Sequence, residues 1–311
     1  MPYTSADSSG PQPEKRASPA RLAVLLAIAL IFASYCIFRP GGVRAEIEEF
    51  ERLLVHENPA APPLPAKIPR RAQGPLDAMT PQAQAELLLD EAVHNEEGAI
   101  EDLDARAPAW RGYVQLTPKL SGELEPALNA SDLEVRAAAL EIYLAIYDVG
   151  KDPASFSSLE QRVSAEPEAR PWGLFVLGAL GNRGIESTSA LRKLTSYADD
   201  GNEDTRAWAM EGLAILGTNE AIEPLLEALR SDSSSRVRER AACGLAEAGM
   251  FTHAQRMSAV PRLLDLAEDS ALDAETHGYV FHALQDITRA GKGNDARAWR
   301  EWWNQNGRGT K

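Results

Sequence analysis

Between Thr218 and Gly249 apolar residues return every three or four positions, break at a polar turn, and return again. Ala221, Leu225, Leu226 and Leu229 fall on one side of a first helix, whose opening turn Pro224 interrupts. Ser231 to Ser235, with Asp232 among them, supply turn and N-cap oxygens. A second helix follows, striped by Val237, Ala241, Ala242, Leu245 and Ala248, with Gly249 expected as its left-handed C-cap. A hairpin this short cannot bury its apolar face alone and needs neighbours of its own kind.

The same pattern recurs. Aligned on one arginine, the second helices read LEVRAAALEIYLAIYDVG at Arg136, PEARPWGLFVLGALG at Arg170, EDTRAWAMEGLAILG at Arg206 and SRVRERAACGLAEAG at Arg238. A fifth copy, DAETHGYVFHALQDITRAG, carries His277 at that place. The intervals are 34, 36, 32 and 39 residues. A drifting period in the mid-thirties suits stacked helical hairpins and is far too long for a coiled-coil heptad.

Asp or Ser, then Val-Arg, then alanines spaced to Leu-Gly, as in Ser235 to Gly249, resembles HEAT repeats, in particular the short bacterial kind called PBS-lyase HEAT-like. The resemblance covers roughly Thr117 to Gly291. It implies an all-α fold, an α-solenoid of about five HEAT-like hairpins with first helices on one face and second helices on the other, used as a binding scaffold. It implies no lyase activity, because no bilin-attachment residue can be carried over.

Around the repeats of 117–291 the chain divides by composition. Residues 1–20, rich in Ser, Pro and Ala without apolar periodicity, read as a disordered cytoplasmic tail. Leu22 to Phe38 is uncharged and apolar throughout. As a helix it would span about 26 Å, enough for a bilayer core of about 30 Å once Arg21 and Arg39 snorkel, so 21–39 is expected to be a transmembrane anchor. A cleaved signal peptide is the competing reading, weakened by Tyr35, which spoils both a small-x-small site and a lipoprotein box ending at Cys36. Residues 40–79 hold a juxtamembrane helix, Ala45 to Glu57, and a linker dense in proline that favours extended polyproline II. Thr80-Pro81 opens a capping hairpin, 80–116. Residues 292–311 form a closing helix with Trp299, Trp302 and Trp303 on one face, capped by Asn294-Asp295. These tryptophans are expected to seal the last repeat, with a partner site as the alternative.

Net charge narrows the partner class. The chain of 311 residues carries −14 overall; the first 44 residues contribute +3 and the remainder −17. An anionic body is unsuited to nucleic acid, whose binding depends on neutralising phosphates. Basic residues flanking the apolar run weakly favour a cytoplasmic N-terminus, with the solenoid outside an inner (cytoplasmic) membrane crossed once. Two cysteines, Cys36 and Cys243, cannot make a disulfide framework, and nothing has metal-ligand spacing. His277 and His282 are five apart and diverge on a helix. Gly178 to Gly184 is glycine-rich but follows no strand, and reads as a C-cap and turn rather than a phosphate loop. No catalytic residue, cofactor, metal or small-molecule substrate is expected.

Two rows of the repeat alignment offer a surface. Two positions after each anchor stand Ala138, Trp172, Trp208, Arg240 and Tyr279; five positions after stand Glu141, Phe175, Glu211, Cys243 and His282. Trp172, Trp208 and Tyr279, with Glu141 and Glu211 on a rim, form the candidate partner-binding face. Packing between repeats is the alternative for the tryptophans. Arg136, Arg170, Arg206 and Arg238 are expected to reach acids or carbonyls of the next repeat as a structural ladder. The function expected is a membrane-anchored scaffold holding a protein partner without catalysis. The alternatives are an assembly factor of an envelope complex, or an accessory adaptor to an enzyme.

Overall fold

A computed structural model describes residues 67–70 and 75–307. The tail, the apolar run Leu22 to Phe38, the juxtamembrane helix and most of the proline-rich linker lie outside the described residues. Among the described residues there are thirteen α-helices and no strand, and no helix is long and apolar enough to cross a membrane.

The helices fall into hairpins: α1 (Pro81–Val93) with α2 (Ala99–Trp110), α3 (Pro118–Leu128) with α4 (Leu133–Ile146), α5 (Pro153–Ala165) with α6 (Arg170–Asn182), α7 (Ser187–Tyr197) with α8 (Glu203–Leu216), α9 (Ile222–Ser231) with α10 (Ser235–Ala246), and α11 (His253–Glu268) with α12 (Ala274–Thr288). A last helix, α13 (Ala296–Asn306), packs on α11.

Local sequence sets the helix starts. Thr80, Thr117 and Asp152 each precede a proline, and each side chain accepts an amide of the first turn. Proline costs nothing there, because that amide has no partner inside the helix. The same rule accommodates Pro224: it sits in the first turn of α9 without breaking the helix. Thr252 and Gln255 form a reciprocal capping box on α11, and Asp295 caps α13.

Gly249 is not a left-handed cap. Helix α10 stops at Glu247, whose φ of −130° and ψ of −50° are neither helical nor left-handed, and Gly249 has no positive φ. It is needed for proximity instead, since a Cβ there would lie 2.5 Å from the Ala214 carbonyl oxygen. Gly178 and Gly181 likewise belong to the interior of α6, and the positive φ of that segment falls on Gly184 at +83°.

The second helices α6, α8, α10 and α12 pack side by side in sequence order. They run parallel: Asn182 donates to the Leu216 carbonyl, Arg240 meets Glu211, and Ser235 meets the Tyr279 hydroxyl. Small residues set the spacing. A methyl on Gly178 would collide with the Gly212 carbonyl, one on Gly212 would stand 2.6 Å from the Leu174 carbonyl oxygen, and one on Gly244 would stand 2.8 Å from the Ala214 methyl.

The pair α3/α4 does not continue this series. Glu141 meets Arg183 at the C-terminal end of α6, Tyr143 meets Phe175, and Tyr147 meets Trp172 near the N-terminal end. The order is reversed, so α4 crosses α6 antiparallel. Its Ala138, Ala139, Ile142 and Ala145 complete a separate core with α1, α2 and α3, while Leu140 and Leu144 enter the core of the later repeats. The repeat stack expected over 117–291 is thus continuous from α5 onward, and α3/α4 joins the N-terminal hairpin as a four-helix module. The reason is side-chain size: Leu144 stands at the place in α4 that Gly178 holds in α6.

The end of the linker is tied to this module. Ile68 exchanges backbone hydrogen bonds with Asn95 and Glu97, and the Arg70 guanidinium clasps the buried Glu91 and Asp102.

Candidate interaction face on the second helices

Three groups of side chains define what the repeats present: a ladder along the turns, a row of aromatic and charged residues on the second helices, and a polar joint where α4 crosses.

The ladder uses Arg170, Arg206 and Arg238 with Asp200, Asp232 and Asp273. Arg170 reaches Asp200 at 3.4 Å and lies over the Tyr197 ring at 5.3 Å. Arg206 holds Asp232 in a fork of 2.8 and 3.0 Å and also donates to the Asp200 carbonyl at 2.9 Å. Arg238 donates to the Asp232 carbonyl and to the Asp273 carboxylate, at 2.9 and 3.1 Å. Arg206 and Arg238 therefore each bond their own turn and the turn of the next repeat, while Arg170 bonds the Val163 carbonyl in the last turn of α5 and the aspartate of the next repeat. Each of these aspartates also holds an amide of its own turn. Planar forks suit arginine and not lysine. The Arg206–Asp232 pair is the most protected rung, its side chains 13% and 6% exposed, and it raises the Arg206 pKa.

Arg136 takes a different path. It bonds the Ala130 carbonyl in its own turn, then crosses to the carbonyls of Glu247 and Gly249 beyond the end of α10, at 2.6 and 2.7 Å. Arg256 of α11 bonds the same two carbonyls, with those of Leu245 and Phe251. The carbonyls of a helix C-terminus carry partial negative charge and attract cations. Burial lowers the pKa of both arginines, Arg256 to about 10 with Arg136 beside it. The turn between α5 and α6 (166–169) has no aspartate to receive a rung from Arg136.

On the second-helix face, Trp208 is half-buried against the core, Glu211 pairs with the exposed Arg240 at 2.9 Å, and half-buried Tyr279 bonds Ser235 and Glu275. Arg236 pairs with Asp204; Cys243 and His282 are exposed. Next to His282, burial and then Glu247 push the Asp286 carboxyl up to about 6, against His282 and Arg289, which draw it down.

Trp172 and Phe175 belong to the same rows but lie under α4. The Trp172 ring meets Tyr147 at 5.7 Å and the Arg162 guanidinium at 5.8 Å, and its buried Nε1 has no acceptor. Glu141 is not on a rim. It is 2% exposed, held at 2.6 Å by both Lys151 and Arg183. Its row position faces outward only where no helix crosses, and α4 buries both its sides. Arg183 also faces Asp104 of α2 at 3.6 Å; burial raises that carboxyl, with Arg183 opposing.

Lys151, Arg183 and Asp104 were not singled out by the repeat pattern, since none stands in a repeating row. The three closing tryptophans act as a seal: Trp299 is buried with Nε1 on the Gly293 carbonyl at 2.8 Å, and Trp302 and Trp303 pack on the core edge. Arg300 clamps Asp265 and Glu268 of α11. Among the described residues no group of histidine, cysteine and carboxylate side chains is placed to hold a metal ion.

Residues 159–246 match the family model described as HEAT repeats. The matched span runs from within α5 to the end of α10, the portion where parallel second helices and the arginine ladder coincide. No curated protein matches the chain.

Proposed function

We propose that this HEAT-repeat protein is a membrane-anchored scaffold that holds a protein partner on the second-helix face of α8, α10 and α12, without chemistry of its own. HEAT repeats in general serve as protein-interaction scaffolds. The observation that carries the site is that Trp208, Glu211, Arg240 and Tyr279 stand on adjacent parallel helices with part of their surface open. Aromatic and arginine side chains on a rigid platform are the residue types that dominate interface energies. Leu22 to Phe38 supplies the anchor in this reading, and the proline-rich linker the spacing.

The test is capture from crosslinked membranes with mass spectrometry, comparing the full chain with Trp208→Ala/Tyr279→Ala. The reading expects the captured protein to fall at least about tenfold while the helical circular-dichroism signal is kept, as for loss of two interface anchors. Undiminished capture would refute the site.

A second reading is favoured by the charge of −17 beyond residue 44. A scaffold of an envelope complex using the whole acidic surface would lose its partner steeply as salt rises, and the double alanine change would matter little.

A further inference from the structure

Helix α4 already lies on the second-helix face. It covers α6 where the other second helices are open, and it reaches the far end of α10 through Arg136. Its joint is unlike every other joint in the stack. Aromatic rings fill it where glycines close the α6/α8 joint, and its ion pairs are partly open to water: Arg183 is 23% exposed, Lys151 30%, and the edge ring Tyr147 44%. It also leaves the Trp172 indole N–H without an acceptor. The module behind it, α1 to α4, has its own hydrophobic core, which stays whole on leaving α6; the apolar side chains of α4 that release uncovers are Leu140 and Leu144.

From this we infer that the α1–α4 module is a releasable cover, latched by Arg136 on the Glu247 and Gly249 carbonyls and by Arg183 on Glu141, and that release extends the open face to Trp172 and Phe175. The use of the uncovered surface rests on the docking reading above; release itself does not. The Arg136 latch is well suited to opening. Withdrawing Arg136 leaves no orphan, because Arg256 still bonds both carbonyls. The freed guanidinium gains water in place of a buried site that disfavours its charge. The linker enters at Arg70, on α1 and α2, so whatever moves the linker moves the cover and not the repeats.

Hydrogen exchange by mass spectrometry on the full chain, with Arg136→Ala, tests this. The expected result is exchange about tenfold faster in 133–152 and in the first two turns of α6, with α8 to α12 unchanged. Binding of the dye 1-anilino-8-naphthalenesulfonate should rise with it. Tyr147→Ser, at the solvent edge and harmless to folding, should shift the same segments by a smaller factor. Unchanged exchange in α4 would overturn the cover, and so would acceleration spread equally through α8 to α12, which would make Arg136 a general structural bond. Release without any change in membrane capture would sustain the cover and count against the docking reading.

Discussion

Two joints between second helices differ in what fills them, and the difference decides the direction of the chain. Between α6 and α8 the contact is made by Gly178 and Gly212, backbone against backbone, and the helices run parallel. Between α4 and α6 it is made by Tyr143, Tyr147, Phe175 and Trp172, and the helices run antiparallel. Close approach lets each turn sit beside the next, so Arg206 can reach both Asp200 and Asp232 and the ladder extends. Bulky rings hold α4 away from that register, and its arginine finds carbonyls of a distant turn.

The sharpest way to break the contrast is to add one methyl to the tight joint. Gly178→Ala places a Cβ into backbone that cannot withdraw, and should cost about 3 kcal/mol or more. A calorimetric midpoint lowered by several degrees would show it; a neutral effect would mean the two helices can separate. Next is the ladder. Arg206→Ala leaves the nearly buried Asp232 carboxylate without its fork and should cost about 2–3 kcal/mol in urea unfolding. Arg262→Ala, which breaks an exposed pair with Glu223, should cost well under about 1 kcal/mol. Equal costs would deny the ladder its role.

How much of this is written in the sequence depends on range. Thr80-Pro81, Asp152-Pro153 and Asp295 start helices through contacts within one turn, so pattern alone reveals them. The arginine period also survives, because each rung touches its own turn and the adjacent one. The reversal of α4 does not show in its apolar stripe, which is shared with its neighbours. The signal was in size: Leu144 occupies the place of Gly178, and no glycine occurs within LEVRAAALEIYLAI. The burial of Glu141 was illegible for the same reason, since its partners Lys151 and Arg183 lie outside any repeating row. Gly249 differs from its expected role because a glycine after a helix serves two purposes, and only the neighbouring Ala214 carbonyl tells them apart.

A smaller effect is expected from Asp286, on the open side of the face. Its folded pKa of about 6 lies above the ordinary carboxylate value, so the native state holds the proton more tightly than the unfolded chain. Stability should therefore rise as pH falls through about 6, and the gain should be complete near the unfolded value of about 4. Asp286→Asn should stabilise by about 1 kcal/mol at pH 8, the figure reduced for a partly buried site among Glu247, His282 and Arg289, and by nothing near pH 4. Melting curves at the two pH values would check the sign; a loss of stability at pH 8 would reverse it.

The central claim is that α4 lies backwards across α6, covering the part of the face that the later repeats leave open. A photo-crosslinking benzoylphenylalanine in place of Tyr147 in the full chain reads that direction. The account predicts crosslinked peptides from the N-terminal half of α6, around Trp172. Crosslinks to the other end, around Asn182 and Arg183, would show a parallel repeat and contradict it.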